Sequence, residues 1–206
     1  MTGAREEVLS RIGRALGPSP SVPDVPRAYR QSGTATGDDV VDLFCARAAD
    51  YLATVRRVTE DELDAALAEA CAERGSTRVV AAQEMAALAG AVHDSPDIPA
   101  AELDDFDAAL TGCALAVAET GSIVLDGGPR SGRRALTLVP DHHLCVVRAD
   151  QVVASVPDAI AALSTAAREG RPITFVSGPS ATSDIELERV EGVHGPRKLD
   201  IFVVRA

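Results

Sequence analysis

Apolar residues recur at helical spacing from Ala4 to Leu16, where Val8, Leu9, Ile12, Ala15 and Leu16 share one side of a helix that Gly17-Pro18 stops. The next stretch, PSPSVPDVPRAYRQSGTATG, has no period and is rich in Pro, Ser and Gly, so it reads as an extended linker. Residues 1–37 are therefore expected to form an N-terminal helical arm and residues 38–206 one α/β domain. Within the domain the pattern predicts a helix over 39–52 and a short strand over 54–58. A second helix opens at Thr59, with Glu62 three residues on as a capping box, and closes at Gly75. A β-branched run over 78–82 and an Ala-rich helical segment over 83–91 continue the alternation, which is the pattern of βαβ units and a parallel sheet. After an acidic, irregular segment over 94–107, strands are expected over 114–118, 123–125, 135–139 and 144–148. These lie too close together for helical crossovers. A helix from Ser155-Pro157 to about Arg168, a strand over 173–176 and a last strand over 201–204 complete the pattern.

Composition narrows the classes of function. Hydrophobic residues make up 46% and charged residues 25%, an ordinary globular balance, so most of the chain is expected to fold unaided. Aromatics are only 3% and Trp is absent, which leaves little planar surface for stacking bases. The net charge of −11 repels phosphate backbones and anionic membranes, so neither nucleic acid nor a membrane is the expected partner. No apolar run reaches the roughly 18 residues of a spanning helix, and the N-terminus lacks a basic region followed by an apolar run, so the cytoplasm is the expected compartment. Cys45, Cys71, Cys113 and Cys145 stand singly in apolar or helical stretches and read as reduced core thiols.

Four segments carry candidate chemistry. In AETGS, Glu119 ends an apolar strand and Gly121 allows a tight turn; burial would raise the Glu119 carboxyl toward working pH, as a general base or covalent nucleophile requires. Thr120, Gly121 and Ser122 of the same turn are candidate ligand contacts; the alternative is a turn whose Glu119 and Thr120 satisfy local amides. The loop GGPRSGRR gathers Arg130, Arg133 and Arg134 on a glycine frame, and guanidinium forks suit carboxylate or phosphate. In ITFVSGPSATSDIELE a strand runs into Ser177, Gly178, Ser180, Thr182 and Ser183, with Glu186 completing a capping box on Ser183. A glycine-bearing loop before a helix N-terminus offers amides and hydroxyls to an anion. It has neither the Lys of a Walker loop nor the three glycines of a dinucleotide fingerprint. His194 stands between glycines and, with Asp184 and a serine, is compatible with a Ser/His/Asp group, although no GxSxG elbow is present. His142, His143 and Cys145 are metal-ligand types, yet adjacent histidines on a strand point to opposite faces, so no metal site is expected there.

Taken together, AETGSIVLDGG, the arginine loop, LVPDHHLCVV, SGPSATSDIELE and GVHGPRKLDIFVV resemble the LUD domain of the lactate utilization protein C family, and AREEVLSRIGRAL with its Pro-rich linker resembles that family's opening. The resemblance implies a Rossmann-like α/β sheet similar to the sugar-phosphate isomerase, glucosamine-phosphate deaminase and CoA-transferase group, with helices on both faces. It also implies an accessory or substrate-handling role in oxidising L-lactate to pyruvate beside cysteine-rich partner proteins that carry the iron–sulfur clusters. No cofactor is expected on this chain alone, because its cysteines are isolated. CoA-transferases use a glutamate before Asn-Gly as nucleophile, and Glu119 precedes Thr-Gly here, an analogy at the level of the fold. The loops are expected to converge at the carboxyl ends of the strands, with the arginines holding the lactate carboxylate. Two alternatives stand beside this reading: a self-sufficient transferase or isomerase acting on a CoA ester or sugar phosphate, and a non-catalytic scaffold.

Overall fold

The computed structural model describes residues 3–18, 24–35, 37–85, 88–182, 190–191 and 194–205. The chain divides into two compact units, Met1–Arg30 and Gln31–Ala206. The first carries helix α1 (Ala4–Leu16), closed by Gly17 at a φ of 74°. The second begins before the helical region, because the Gly33 amide donates to Asp158 at 2.9 Å and Ala35 packs on the core.

In the second unit α2 (Asp38–Asp50) leads into strand β1 (Thr54–Thr59). The Thr59 amide then donates to the Glu62 carboxylate at 2.9 Å, and this bond holds Glu62 below the usual carboxylate range. That cap starts a short 3-10 turn and α3 (Leu63–Arg74), which ends at left-handed Gly75. Strands β2 (Val79–Ala81), β3 (Val92–His93) and β4 (Ala108–Gly112) follow, then β5 (Leu115–Val117), β6 (Ser122–Leu125), β7 (His142–Arg148) and β8 (Val152–Val153). Helices α4 (Val156–Ala162) and α5 (Ser164–Arg168), strand β9 (Thr174–Val176), the short pair β10 (Ala181–Thr182) and β11 (Val190–Glu191), and β12 (Lys198–Arg205) complete the order.

Six strands form a wholly parallel sheet in the order β1-β12-β7-β4-β2-β3, and β8-β5-β6-β9 form a second, mixed sheet. The central strands are apolar on both sides, as a sheet covered on both faces requires. Alternation along β7 and β12 sends Leu144, Val146, Phe202 and Val204 toward α3, and Cys145, Val147, Ile201 and Val203 toward α2 and the second sheet. The far face of the second sheet packs Leu115, Val117 and Val124 on Ala159 and Leu163 of α4 and its C-cap. The Rossmann-like α/β expectation with helices on both faces therefore holds.

Three local expectations are corrected. Residues 83–85 and 88–91 form turns and irregular structure where a helix was expected. The Glu84 amide is tied to the Pro129 carbonyl at 3.2 Å and Met85 is buried, so tertiary contacts override the helix preference of an Ala-rich run. The strand expected over 135–139 is a 3-10 turn (Arg134–Thr137), because the Arg134 side chain bonds the carbonyl and hydroxyl of Thr137 and curls the segment. Strand β4 falls over 108–112, where no element was expected, and it lies inside the sheet with every residue buried. The helix expected after Ser183 lies outside the described residues.

Candidate ligand-binding site

The amino ends of β7 and β12 stand side by side, with Leu199 opposite His143. Because neighbouring residues of a strand face opposite ways, His142 and His143 enter different environments. On the α3 side, His142 Nδ1 bonds Ser76 Oγ at 2.9 Å and its Nε2 bonds Asp200 Oδ2 at 2.9 Å. All three residues are buried, and Arg74 adds an ion pair to Asp200 at 3.4 Å. This network fastens the end of α3 to the two central strands.

On the other side His143 borders a cavity of about 220 Å³, which is also lined by Arg134, Thr137, residues 174–181 and residues 194–196. His143 Nε2 is engaged by Thr111 Oγ1 of β4 at 2.8 Å. Burial, with added repulsion from His142 and Arg134, pushes its pKa down to about 3, so its imidazole is neutral at physiological pH. Arg134 supplies the positive charge. Its Nη1 bonds the Thr137 carbonyl at 3.2 Å and hydroxyl at 3.0 Å, which leaves Nε and Nη2 without a protein partner among the described residues. Desolvation lowers its pKa, the signature of a guanidinium held partly out of water.

The serine-rich loop after β9 closes the cavity. Its Ser180 amide donates to the Pro196 carbonyl at 2.8 Å, and Ser180 Oγ accepts the His194 amide at 3.1 Å, so the loops before β12 and after β9 are stapled together. A chain of hydroxyls runs from Thr120 to Ser122 at 2.8 Å and on to Ser177 at 2.5 Å, linking the AETGS turn to the cavity rim. Two glycines make the approach possible. Gly121 (φ 61°) lies against the backbone of Arg47 and Ala48, and Gly178 (φ 84°) against the Tyr51 carbonyl; in both places a Cβ would collide with backbone.

Of the residues singled out from the sequence, Arg134, Ser177, Gly178, Ser180 and His194 line this one cavity, and Thr120 and Ser122 support it. The others lie elsewhere. The Glu119 carboxylate accepts the Val156 amide at 3.0 Å, at the start of α4, away from the cavity lining. Arg133 grips Asp94 through Nε and Nη2 at 2.8–3.2 Å and the Ile98 carbonyl at 2.7 Å, which holds its pKa high. Arg130 lies over Gly112. Thr182 belongs to β10, and Ser183 and Asp184 lie outside the described residues. The convergence is at the amino ends of the central strands rather than the expected carboxyl ends, because both contributing loops precede or flank the entries to β7 and β12. His143, Thr137 and Thr111 were not assigned to a binding site from the sequence. The available signal was a histidine placed first on the cavity face of an otherwise apolar strand.

The four cysteines are all buried thiols, and among the described residues no group of three or more His, Cys, Asp or Glu side chains is placed to hold a metal ion. No described helix is long and apolar enough to cross a membrane.

A parallel α/β sheet with a second small sheet, and a cation-bearing cavity between them, define an α/β protein with a candidate ligand cavity. The chain belongs to the LUD domain family, whose model matches residues 41–204. It is 44% identical over 204 residues to a lactate utilization protein C of Deinococcus radiodurans, covering 98% of this chain and 95% of that one. A lactate utilization protein C of Shouchella clausii is 34% identical over 101 residues, covering 48% and 44% of the two chains. Among solved structures, a DUF162 family protein from Deinococcus radiodurans superposes with a TM-score of 0.71 at 40% identity, covering 83% of this chain and 99% of that one.

Proposed function

We propose that the chain serves lactate utilization as the subunit that holds a small carboxylate, L-lactate or pyruvate, in the Arg134 cavity. Oxidation of lactate to pyruvate releases two electrons and two protons. In this reading the electrons leave through iron–sulfur partner proteins in the cytoplasm, and this chain binds and orients the acid.

The observation that carries the reading is the partly buried Arg134 guanidinium with two nitrogens unengaged among the described residues. A carboxylate completes it as a bidentate pair, and the low-dielectric surroundings strengthen the attraction. The neutral His143 ring and the Ser177 and Ser180 hydroxyls then suit the uncharged hydroxyl or keto oxygen. In this reading His194, exposed at the rim, exchanges a proton with the lactate hydroxyl. A cavity of about 220 Å³ falls below the roughly 300–1,000 Å³ of sites for drug-sized ligands, which favours a three-carbon acid over a whole CoA ester. The position of Glu119 on the α4 amides gives a glutamyl thioester no support.

The test is growth on L-lactate of a strain lacking this chain. Wild type and Glu119→Gln, which keeps a cap acceptor, are expected to restore growth, and Arg134→Gln is not. Restoration by Arg134→Gln with failure of Glu119→Gln would overturn the reading.

A further inference from the structure

We infer that Arg130 marks a second anion site, at the carboxyl end of β4, for a phosphate- or carboxylate-bearing ligand distinct from the occupant of the Arg134 cavity. The Gly112 amide at the end of β4 donates to the Arg130 carbonyl at 2.9 Å, which brings the arginine loop across that edge of the sheet. The side chain then lies on Gly112, where a Cβ would stand 3.2 Å from Arg130 Nε and 3.3 Å from Met85 Sδ. Nε is buried and bonded to nothing, and the guanidinium has no hydrogen bond or ion pair among the described residues.

Its arginine neighbours in the fold each hold at least one protein partner. Arg133 holds Asp94, Arg134 holds Thr137, and Arg171 holds Asp126 at 2.6 Å. Asp126 is the acid on the same loop, and its other oxygen accepts from the Gly128 amide and the Ser131 hydroxyl, each at 3.0 Å. Arg56 and Arg171 share the unbonded, buried Nε, but both pair through their other nitrogens. Arg130 alone in that group has no counter-charge among the described residues. A buried Nε without a partner is costly, and an anion bound across the guanidinium edge supplies one with matching fork geometry.

The position fits such a ligand. Open parallel sheets take ligands at the carboxyl ends of their strands. On the same loop a recess of about 210 Å³, lined by Gln83, Asp94, Pro129 and Arg133 among others, adjoins Arg130 in sequence through Pro129.

The test is thermal unfolding of the full chain against inorganic phosphate and against acetate at matched ionic strength, with Arg130→Gln and Arg134→Gln alongside. A saturable rise in midpoint with either anion that persists in Arg134→Gln, where the carboxylate cavity is disabled, and is weakened at least tenfold when Arg130→Gln is added to that variant, is expected. Phosphate alone would name a phosphorylated ligand, and acetate alone a carboxylate. Without anion, Arg130→Gln is expected to match or exceed the wild-type midpoint, because it loses no partner. A lowered midpoint with an unchanged anion response would make Arg130 structural and overturn the proposal. So would the absence of any saturable response, or its loss in Arg134→Gln instead, which would return the anion to the cavity at the amino ends.

Discussion

His143 is a buried base whose proton the folded chain rejects, and this makes acid stability a readout of the cavity. Its pKa is about 3 in the folded chain against an ordinary 6.5. Because the folded value is depressed, the unfolded chain takes up the proton first as the pH falls. The penalty is absent above about pH 6.5, grows through the window from 6.5 to 3, and is complete below it. Each pH unit in that window costs about 1.4 kcal/mol, so moving from pH 7 to pH 5 removes about 2 kcal/mol through this side chain. Urea unfolding of wild type and His143→Gln at the two pH values isolates the effect, since all other titrating groups are common to both. Gln still offers Thr111 a polar partner. The variant is expected to lose about 2 kcal/mol less than wild type on acidification. Equal losses would show that His143 titrates normally in the folded chain and would refute its burial behind the cavity wall.

Other outcomes follow from the same contacts. Arg134→Gln removes a positive neighbour of His143, so the imidazole pKa rises from its depressed value, measurable by the proton chemical shift of the ring; an unchanged value would separate the two residues. Asp94→Ala leaves Arg133 without its carboxylate and is expected to cost about 1.5–3 kcal/mol in urea unfolding, the worth of hydrogen bonds to charged groups. Gly121→Ala places a Cβ against the backbone of α2 at a positive φ. About 1–2 kcal/mol of left-handed strain adds to about 1–3 kcal/mol of overpacking, and a loss under 1 kcal/mol would show that α2 shifts freely.

Much of the framework is legible in the sequence because it is written in local signals. The Thr59/Glu62 capping box, Gly75 as helix stop, Ser155-Pro157 as helix start and the β-branched runs of β1, β7 and β12 all fall within a few residues of where they were expected. The failures are tertiary. AALTG of β4 carries little β propensity and is a strand because both its faces are covered. The Ala-rich 83–91 run has helix propensity, yet its Glu84 amide is tied to the Pro129 carbonyl of the arginine loop.

The candidate site divides in the same way. The serine-rich loop and His194 advertise themselves by glycines and hydroxyls, and the structure does gather them. The three arginines look equivalent in sequence, but their partners separate them. Arg133 finds Asp94 from 39 positions away, a pairing that no local pattern encodes, and Arg134 alone reaches the cavity. Glu119 read as a base or nucleophile because burial at a strand end would raise its carboxyl; its partner is the amide of Val156, which only the packing of α4 brings within reach. His143 escaped assignment because its role depends on which face of β7 meets the second sheet.

The most direct test of the central claim is calorimetric titration of L-lactate and pyruvate into the purified chain, alone and mixed with the iron–sulfur proteins proposed as its partners, for wild type and Arg134→Gln. Saturable binding of at least one acid by wild type, weakened tenfold or more in Arg134→Gln, is the expected result, a change of about 1.4 kcal/mol or greater. Absence of binding in both preparations, or binding untouched by the substitution, would contradict the assignment of the cavity to a small carboxylate.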